Sequence, residues 1–499
     1  MSRKYALISV SDKSDIEQLA AELTRAGYQI ISTGGTAKFL AEAGFDVVPV
    51  EDITAFPECM DGRLKTLHPR VAGGLLGVRD NPAHMQAMAD HNIPAIDVLV
   101  VNLYPFSETI SGDHTLEDAI ENIDIGGPTM IRAAAKNYKY VAVVTDPADY
   151  VDLVKRVHEE DFRHRLAAKA FRHTAAYDAT IAKYLTEEAK EDFPKTLTLT
   201  YRKHSDLRYG ENPHQAAAYY VQNAEKTAEL LHGKQMSYNN IADANAAVAL
   251  AQEFKQPVCV AVKHSTPCGV AIGKGSHDAY KAAYECDPQS IFGGIVAFNC
   301  QVDKPCAELM FETFLEVIIA PAFAPDALEV LAKKKNLRLM LASKHDTNRL
   351  EFKSVASGLL MQEVDTADIE QEDFNLVTQT PLPPSAREDL VFAMKVVKHV
   401  KSNAIVVAKS GQLLGQGGGE VSRIWAAKAA LERAGSKAFG AVLASDALFP
   451  FPDVVEACAE AGIAAIIQPG GSKNDGLSID AANKHGIAMV FTGIRHFKH

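Results

Sequence analysis

Lysine stands beside histidine in "AVKHSTPCG" (261–269), where an apolar run gives way to a proline and a glycine. Imidazole is the side chain that exchanges a proton near neutral pH. A neighbouring ammonium disfavours imidazolium, so Lys263 would keep His264 neutral and ready to accept. That is the chemistry of a general base acting on a poor nucleophile, and Lys263 is also a candidate for facing an oxyanion. The plainer alternative is a basic corner on a loop, with separate roles for the two residues. Cysteine after proline raises the question of zinc, and spacing answers it. Zinc nucleobase deaminases need His-x-Glu and a later Pro-Cys-x-x-Cys. Here Ala271 stands three residues after Cys268, and His264 is not followed by x-Glu. No zinc is expected.

A second set of chemistry-bearing residues lies near the N-terminus. "STGGT" (32–36) sits where a strand-like run meets a helical one. Gly34 and Gly35 would let a ligand approach the backbone, and Thr33, Thr36 and the free N–H groups of a helix start suit a phosphate. A tight turn with a threonine cap is the alternative. "SVSDK" (9–13) makes a similar corner with Ser11 and Lys13. "DGRLKTLHPR" (61–70) gathers Arg63, Lys65, Thr66, His68 and Arg70 on an otherwise acidic chain, an anion site rather than a solvated loop. "VNLYPF" ends a strand with Asn102 and Tyr104, and "IDIGGPTMIRAAAKN" sets Asp124 before Gly126, Gly127 and, later, Lys136. Alone, Asp124 reads as a helix-start carboxylate. With Lys65, Tyr104 and Lys136 it becomes an acid/base set.

These corners need elements to hold them. Residues 1–145 alternate short apolar runs ("YALISV", "YQIIST", "FDVVPV", "IDVLVVNLY", "YVAVVTD") with helical stretches that stop at Gly27 and Gly44. This alternation predicts a parallel sheet covered on both faces, whose strand ends gather the two hydroxyl-rich corners on one edge. Residues 146–198 read as a polar helical linker region. Residues 199–499 are too many for one simple core, so two lobes are expected, joined near the proline-rich stretch 378–389. No short sequence repeat is visible.

Composition narrows the class. The 499 residues are 47% hydrophobic and 23% charged, with 51 Lys+Arg against 63 Asp+Glu and a net charge of −12. Such an acidic surface argues against a nucleic-acid coat but leaves room for local anion pockets. Seven cysteines with no Cys-x-x-Cys fit free thiols in a reducing compartment. No signal peptide or membrane span is read from the chain, so a cytoplasmic enzyme is expected.

The second half carries its own candidates in a fixed order. Arg208 and Tyr209 lie in "LRYGENPHQ", Phe292 and Gly293 in "SIFGGIVAFN", and Glu316 in "FLEVIIAPAF", where a lone carboxylate is costly without a partner or ligand. Asn403 precedes a strand in "VKSNAIVVAK", Pro450 and Asp453 lie in "ASDALFPFPD", and Arg495 in "GIRHFKH". The order "SVSDK", "STGGTAK", "DGRLKTLHP", "NLYPF", "IDIGG…RAAAKN" resembles the IMP cyclohydrolase domain of the bifunctional purine-biosynthesis enzymes. The order "RYGENPHQ", "KHSTPCG", "SIFGGIVAF", "KSNAIV", "SDALFPF", "TGIRHF" resembles their AICAR transformylase domain. Together the two matches span essentially the whole chain.

The resemblance implies an α/β fold: a methylglyoxal-synthase-like parallel domain, then a larger two-lobed cytidine-deaminase-like domain without catalytic metal. It implies formyl transfer from 10-formyltetrahydrofolate to the amine of AICAR, then closure of FAICAR to IMP with loss of water. His264 would be the base, Asn403 would orient the amine or His264, and Arg208, Tyr209 and Arg495 would hold the ribotide. Phe292, Pro450 and Asp453 would line the folate pocket, with Gly293 and Glu316 among the substrate contacts. In the first domain Lys65 would serve the oxyanion or the departing water, and Asp124, Tyr104 and Lys136 the protons. Ser11, Lys13, Thr33, Gly34, Gly35, Thr36, Arg63, Thr66, Asn102, Gly126 and Gly127 would hold phosphate and ribotide. A homodimer with transformylase sites completed across its interface is implied, with no nucleic-acid or membrane partner. The chain departs from the family at Thr266 (usually Asn or Ser), at "GGGE" ending in Glu420, and at Leu448. The rival reading makes the first domain a regulatory nucleotide-binding module.

Overall fold

A computed structural model describes residues 3–60, 62–222, 228–342 and 350–499; Asp61 of the basic loop lies outside them. The chain forms two compact units, Met1–Tyr201 and Arg202–His499.

In the first unit, strands β1 (Lys4–Val10), β2 (Tyr28–Ser32), β3 (Val47–Pro49), β4 (Ile96–Asn102) and β5 (Ala142–Val144) pair in the order β3-β2-β1-β4-β5, all parallel. Parallel strands need helical crossovers on both faces, so their residues are apolar on both sides. Accordingly Leu7 faces one apolar cluster and Ile8 the other, and both are fully buried. Helices α1 (Ile16–Arg25), α2 (Gly34–Glu42), α3 (Gly126–Lys136) and α4 (Glu160–Glu188) matter for the site. The stretch 146–198 is not a free linker. Leu153, Phe162 and Leu166 fill one core and Ala167 and Ala170 the other, because α4 carries apolar residues for both.

The second unit is built on one mixed sheet of twelve strands. Ten of them fall into two halves of like topology. The first has β6 (Val258–Lys263), β7 (Thr266–Ile272), β8 (Ile295–Phe298), β9 (Val317–Ala320) and β10 (Arg338–Leu341). The second has β11 (Ile405–Lys409), β12 (Gln412–Gly417), β13 (Val442–Ser445), β14 (Ala465–Gln468) and β15 (Ala488–Phe491). In each half a hairpin is followed by an antiparallel and then two parallel pairings. The unit is thus an internal duplication, carried by topology rather than by a readable sequence repeat. The halves meet where β7 pairs with β12, through the single residue pair Ala271↔Gln412. Helices α5 (Tyr238–Ala251) and α6 (Pro384–Val397) cover one face and share one apolar core, while the other face has a separate core for each half. The stretch 378–389 runs into α6, with Pro384 in its first turn.

Cys259 and Cys306 are buried in the first half's outer core, with Cys268 and Cys300 packed against it. All seven cysteines are free. Burial pushes the Cys268 and Cys306 thiols up to about 12, which leaves them protonated and unreactive. Among the described residues no helix is long and apolar enough to cross a membrane, and no group of three or more His, Cys, Asp or Glu could hold a metal ion.

Candidate active sites

In the first unit the site edge forms where β1, β2 and β4 end. Ser9 and Thr33 share a hydroxyl–hydroxyl bond of 2.7 Å, so Thr33 ties β1 to β2 instead of capping α2. Thr36 is buried, donates to the Val10 carbonyl and accepts from its amide. Asn102 accepts the amides of Ser11 (2.6 Å) and Asp12 (2.9 Å). Thr36 and Asn102 therefore shape the corner. Lys13 reaches the Ser11 carbonyl at 3.4 Å. What stays open is the start of α2, where Gly34 takes a positive φ of 40° and Gly35 has empty space around it.

The basic loop bridges two helix starts. A Cβ at Gly34 would lie 3.6 Å from the Lys65 ammonium, and one at Gly126 would meet the Thr66 hydroxyl at 2.7 Å. Only glycine permits that approach at the start of α3. Lys65 pairs with Glu58 at 2.9 Å, and Arg63 with Glu121, so neither cation waits unpartnered. His68 instead caps the following helix by accepting the Arg70 amide at 3.1 Å.

Asp124 precedes α3 and accepts the Gly127 amide at 2.8 Å; its own amide donates to the Tyr177 hydroxyl at 2.8 Å. Burial pushes its carboxyl above the ordinary carboxylate range, opposed by the Gly127 and Tyr104 amides that bond it. Tyr104 is half exposed beside it. Lys136 closes α3, about 15 Å of helix axis from Gly126 at 1.5 Å per residue. The structure sets Lys136 at the far end of α3 and does not gather it with Asp124.

In the second unit His264 and Ser265 form a two-residue hairpin turn, with Lys263, the last residue of β6, paired to Thr266 across it. His264 and Ser265 have φ of 54° and 55°, the positive pair that a type I′ turn requires and that Asn-Gly usually fills. Asp243 on α5 holds the turn open by accepting both amides, at 3.2 and 2.7 Å. Lys263 does not turn toward its neighbour: its ammonium donates to the Phe292 carbonyl at 3.0 Å. Gly293 follows at φ 74°, and the exposed Phe292 ring lies against Phe314. Arg208 stacks over Tyr209 at 5.6 Å. Glu316 is not lone. It pairs with the nearly buried Arg338 at 2.7 Å, the partner that a carboxylate in this apolar stretch needs.

The same parts recur in the second hairpin. Lys409 donates to the Phe439 carbonyl at 2.9 Å, and Asp389 on α6 accepts the Ser410 and Gly411 amides at 2.9 and 2.8 Å. Ser410 and Gly411 have φ of 54° and 66°.

A cavity of about 780 Å³ opens in the second half, lined by Asn403, Arg423, Pro450, Phe451, Asp453, Gly470, Arg495 and Phe497, among others. Four sequence candidates (Asn403, Pro450, Asp453 and Arg495) meet there. Lys263, His264, Arg208, Tyr209, Phe292, Gly293 and Glu316 are not in its lining. Sequence reasoning missed Asp446, fully buried beneath the cavity, which accepts from the Ala404 amide (3.1 Å), Ser402 and Arg423. The conspicuous "SDALFPF" contained it. It also missed His496, buried between the lining residues Arg495 and Phe497. His496 bonds Asp365 at 2.7 Å through its ring and the Asp446 carbonyl through its amide. This fixes an otherwise irregular tail.

Two family models match the chain in succession, and the second crosses the boundary between the two units. Residues 134–433 match the model of the AICARFT/IMPCHase bienzyme family, and residues 15–129 match the MGS-like domain. A relative from Thermoanaerobacter sp. (strain X514), called "Bifunctional purine biosynthesis protein PurH", is 55% identical over 507 residues, covering 99% of this chain and all of its own. One of the same name from Bacillus cytotoxicus is 54% identical over 512 residues, covering both chains in full. A solved chain described as ForH is 37% identical, with a TM-score of 0.33, and covers 36% of this chain and 95% of its own.

Proposed function

Because the chain belongs to the AICARFT/IMPCHase bienzyme family and is both an AICAR formyltransferase and an IMP cyclohydrolase, we propose how its residues divide that work. The first unit closes the ring and the second transfers the formyl group. The regulatory reading of the first unit is not favoured.

The acceptor amine of AICAR is a poor nucleophile, since its lone pair is delocalised into the imidazole ring. His264 takes its proton as it attacks the formyl carbon of 10-formyltetrahydrofolate, and tetrahydrofolate leaves. The observation that carries this reading is the exposed imidazole: of two hairpins built on the same lysine, aspartate and positive-φ turn, the first holds a histidine in the turn and the second a serine. Lys263, tied to the Phe292 carbonyl, steadies the turn that carries His264. Arg495 binds the ribotide phosphate with its planar fork, Asn403 orients the amine, and Pro450, Phe451 and Asp453 accept the folate. The cavity lacks the His264 hairpin, which supports a homodimer in which one subunit's hairpin serves the other's cavity.

In ring closure the carboxamide nitrogen attacks the formyl carbon and water departs. The half-buried Asp124 carboxyl, with its affinity for protons raised, accepts the amide proton; Tyr104 stands beside it. Lys65 leaves Glu58 for the developing oxyanion, and the α2 start receives the phosphate. None of these steps draws on a cofactor. An acidic, metal-independent cytoplasmic enzyme is the reading for the whole chain.

The test mixes purified protein with AICAR and 10-formyltetrahydrofolate and follows tetrahydrofolate and IMP. Both are expected to appear. The reading fails if neither does.

A further inference from the structure

Tyr177 lies on α4, beyond the end of the MGS-like match at residue 129 and in a stretch whose sequence suggested only a linker. Its hydroxyl accepts the Asp124 amide at 2.8 Å and donates to the Asn122 carbonyl at 3.4 Å. One oxygen thus spans the turn that carries Asp124. The ring meets Phe106 edge-on, 6.4 Å between centroids. Tyr184 lies two helical turns on, along the same face, and meets Phe106 at 5.7 Å. Phe106 is itself buried and stands two residues after Tyr104. A single face of α4 therefore grips both loops of the ring-closing site.

The Asp124 backbone is held from two sides, by Tyr177 on its amide and by its own carboxylate on the Gly127 amide. Removing the hydroxyl leaves a half-buried N–H without its acceptor, and the turn must shift to regain one. A shift of that kind moves a carboxylate whose alignment sets the rate. We propose that Tyr177 is a positioning residue for ring closure, aligning Asp124 from a helix that the MGS-like domain does not include. This rests on the reading of Asp124 as the proton acceptor.

The test uses the full chain supplied with FAICAR. Tyr177→Phe keeps the ring and its packing and removes only the hydroxyl. Turnover should fall about tenfold to a hundredfold with KM within about twofold, and formyl transfer should be untouched. Asp124→Asn, measured alongside, should lose about a hundredfold or more. If Asp124→Asn is silent, the reading of Asp124 is wrong. If Asp124→Asn is deep while Tyr177→Phe turns over within twofold of the parent, the positioning role is overturned. A Tyr177→Phe protein whose turnover loss comes only with a large fall in thermal midpoint overturns it equally, since alignment should cost rate before stability.

Discussion

The β6–β7 and β11–β12 hairpins turn on the same parts: a lysine reaching a phenylalanine carbonyl, an aspartate accepting both turn amides, and two residues at positive φ. They differ in what fills the turn. One holds His264–Ser265 and the other Ser410–Gly411. Since Lys409 makes its bond in a hairpin without imidazole, the lysine–carbonyl bond belongs to the construction of the turn. The histidine is the addition. Surroundings differ as well. Gly411 lies at the joint between the halves, its carbonyl accepting the Ile272 amide at 2.9 Å, whereas His264 is exposed. One turn stitches and the other is left free to do chemistry.

That contrast can be broken by substitution. His264→Ala should cost formyl transfer about 10²–10⁴-fold in steady-state assays while ring closure of supplied FAICAR persists. Loss of both activities would end the division between units. Lys263→Met and Lys409→Met should each cost about 1 kcal/mol in denaturant unfolding, as equivalent struts. Only Lys263→Met should slow formyl transfer, by about tenfold, because His264 rides on its turn. Equal kinetic effects would erase the distinction. The smallest effect is expected from Ser410→Asn, which gives the stitching turn its preferred Asn-Gly pair. It should gain about 0.5 kcal/mol and change neither activity. A loss of stability would mean that this turn is not of the type described.

Local pattern made much of this legible. Strand–helix alternation foretold the first sheet, and Asn403, Pro450, Asp453 and Arg495, spread over more than ninety residues, do line one cavity. What stayed hidden is tertiary. Nothing near Arg63 or Glu316 in sequence announces Glu121 or Arg338 as a partner, since an ion pair is made by whichever segment folds against it. Lys136 belongs with Asp124 in the motif that carries the resemblance, and the length of α3 lies between them. The duplication escaped because the halves share a handful of lysine, aspartate and glycine positions on unlike apolar residues. A sheet core accepts many apolar sequences of similar volume.

The single pair Ala271↔Gln412 leaves the joint in the twelve-stranded sheet with almost no ladder of its own. Backbone hydrogen bonds fix register; apolar burial does not. The two halves are therefore held mainly by the core shared under α5 and α6, an adhesion without direction. Its two strands also come from distant parts of the chain, so the loop that closes it is long and its entropy is spent last. Each half can gather on its own outer core first. The joint is then expected to open before the ladders within either half, which native-state amide exchange can check.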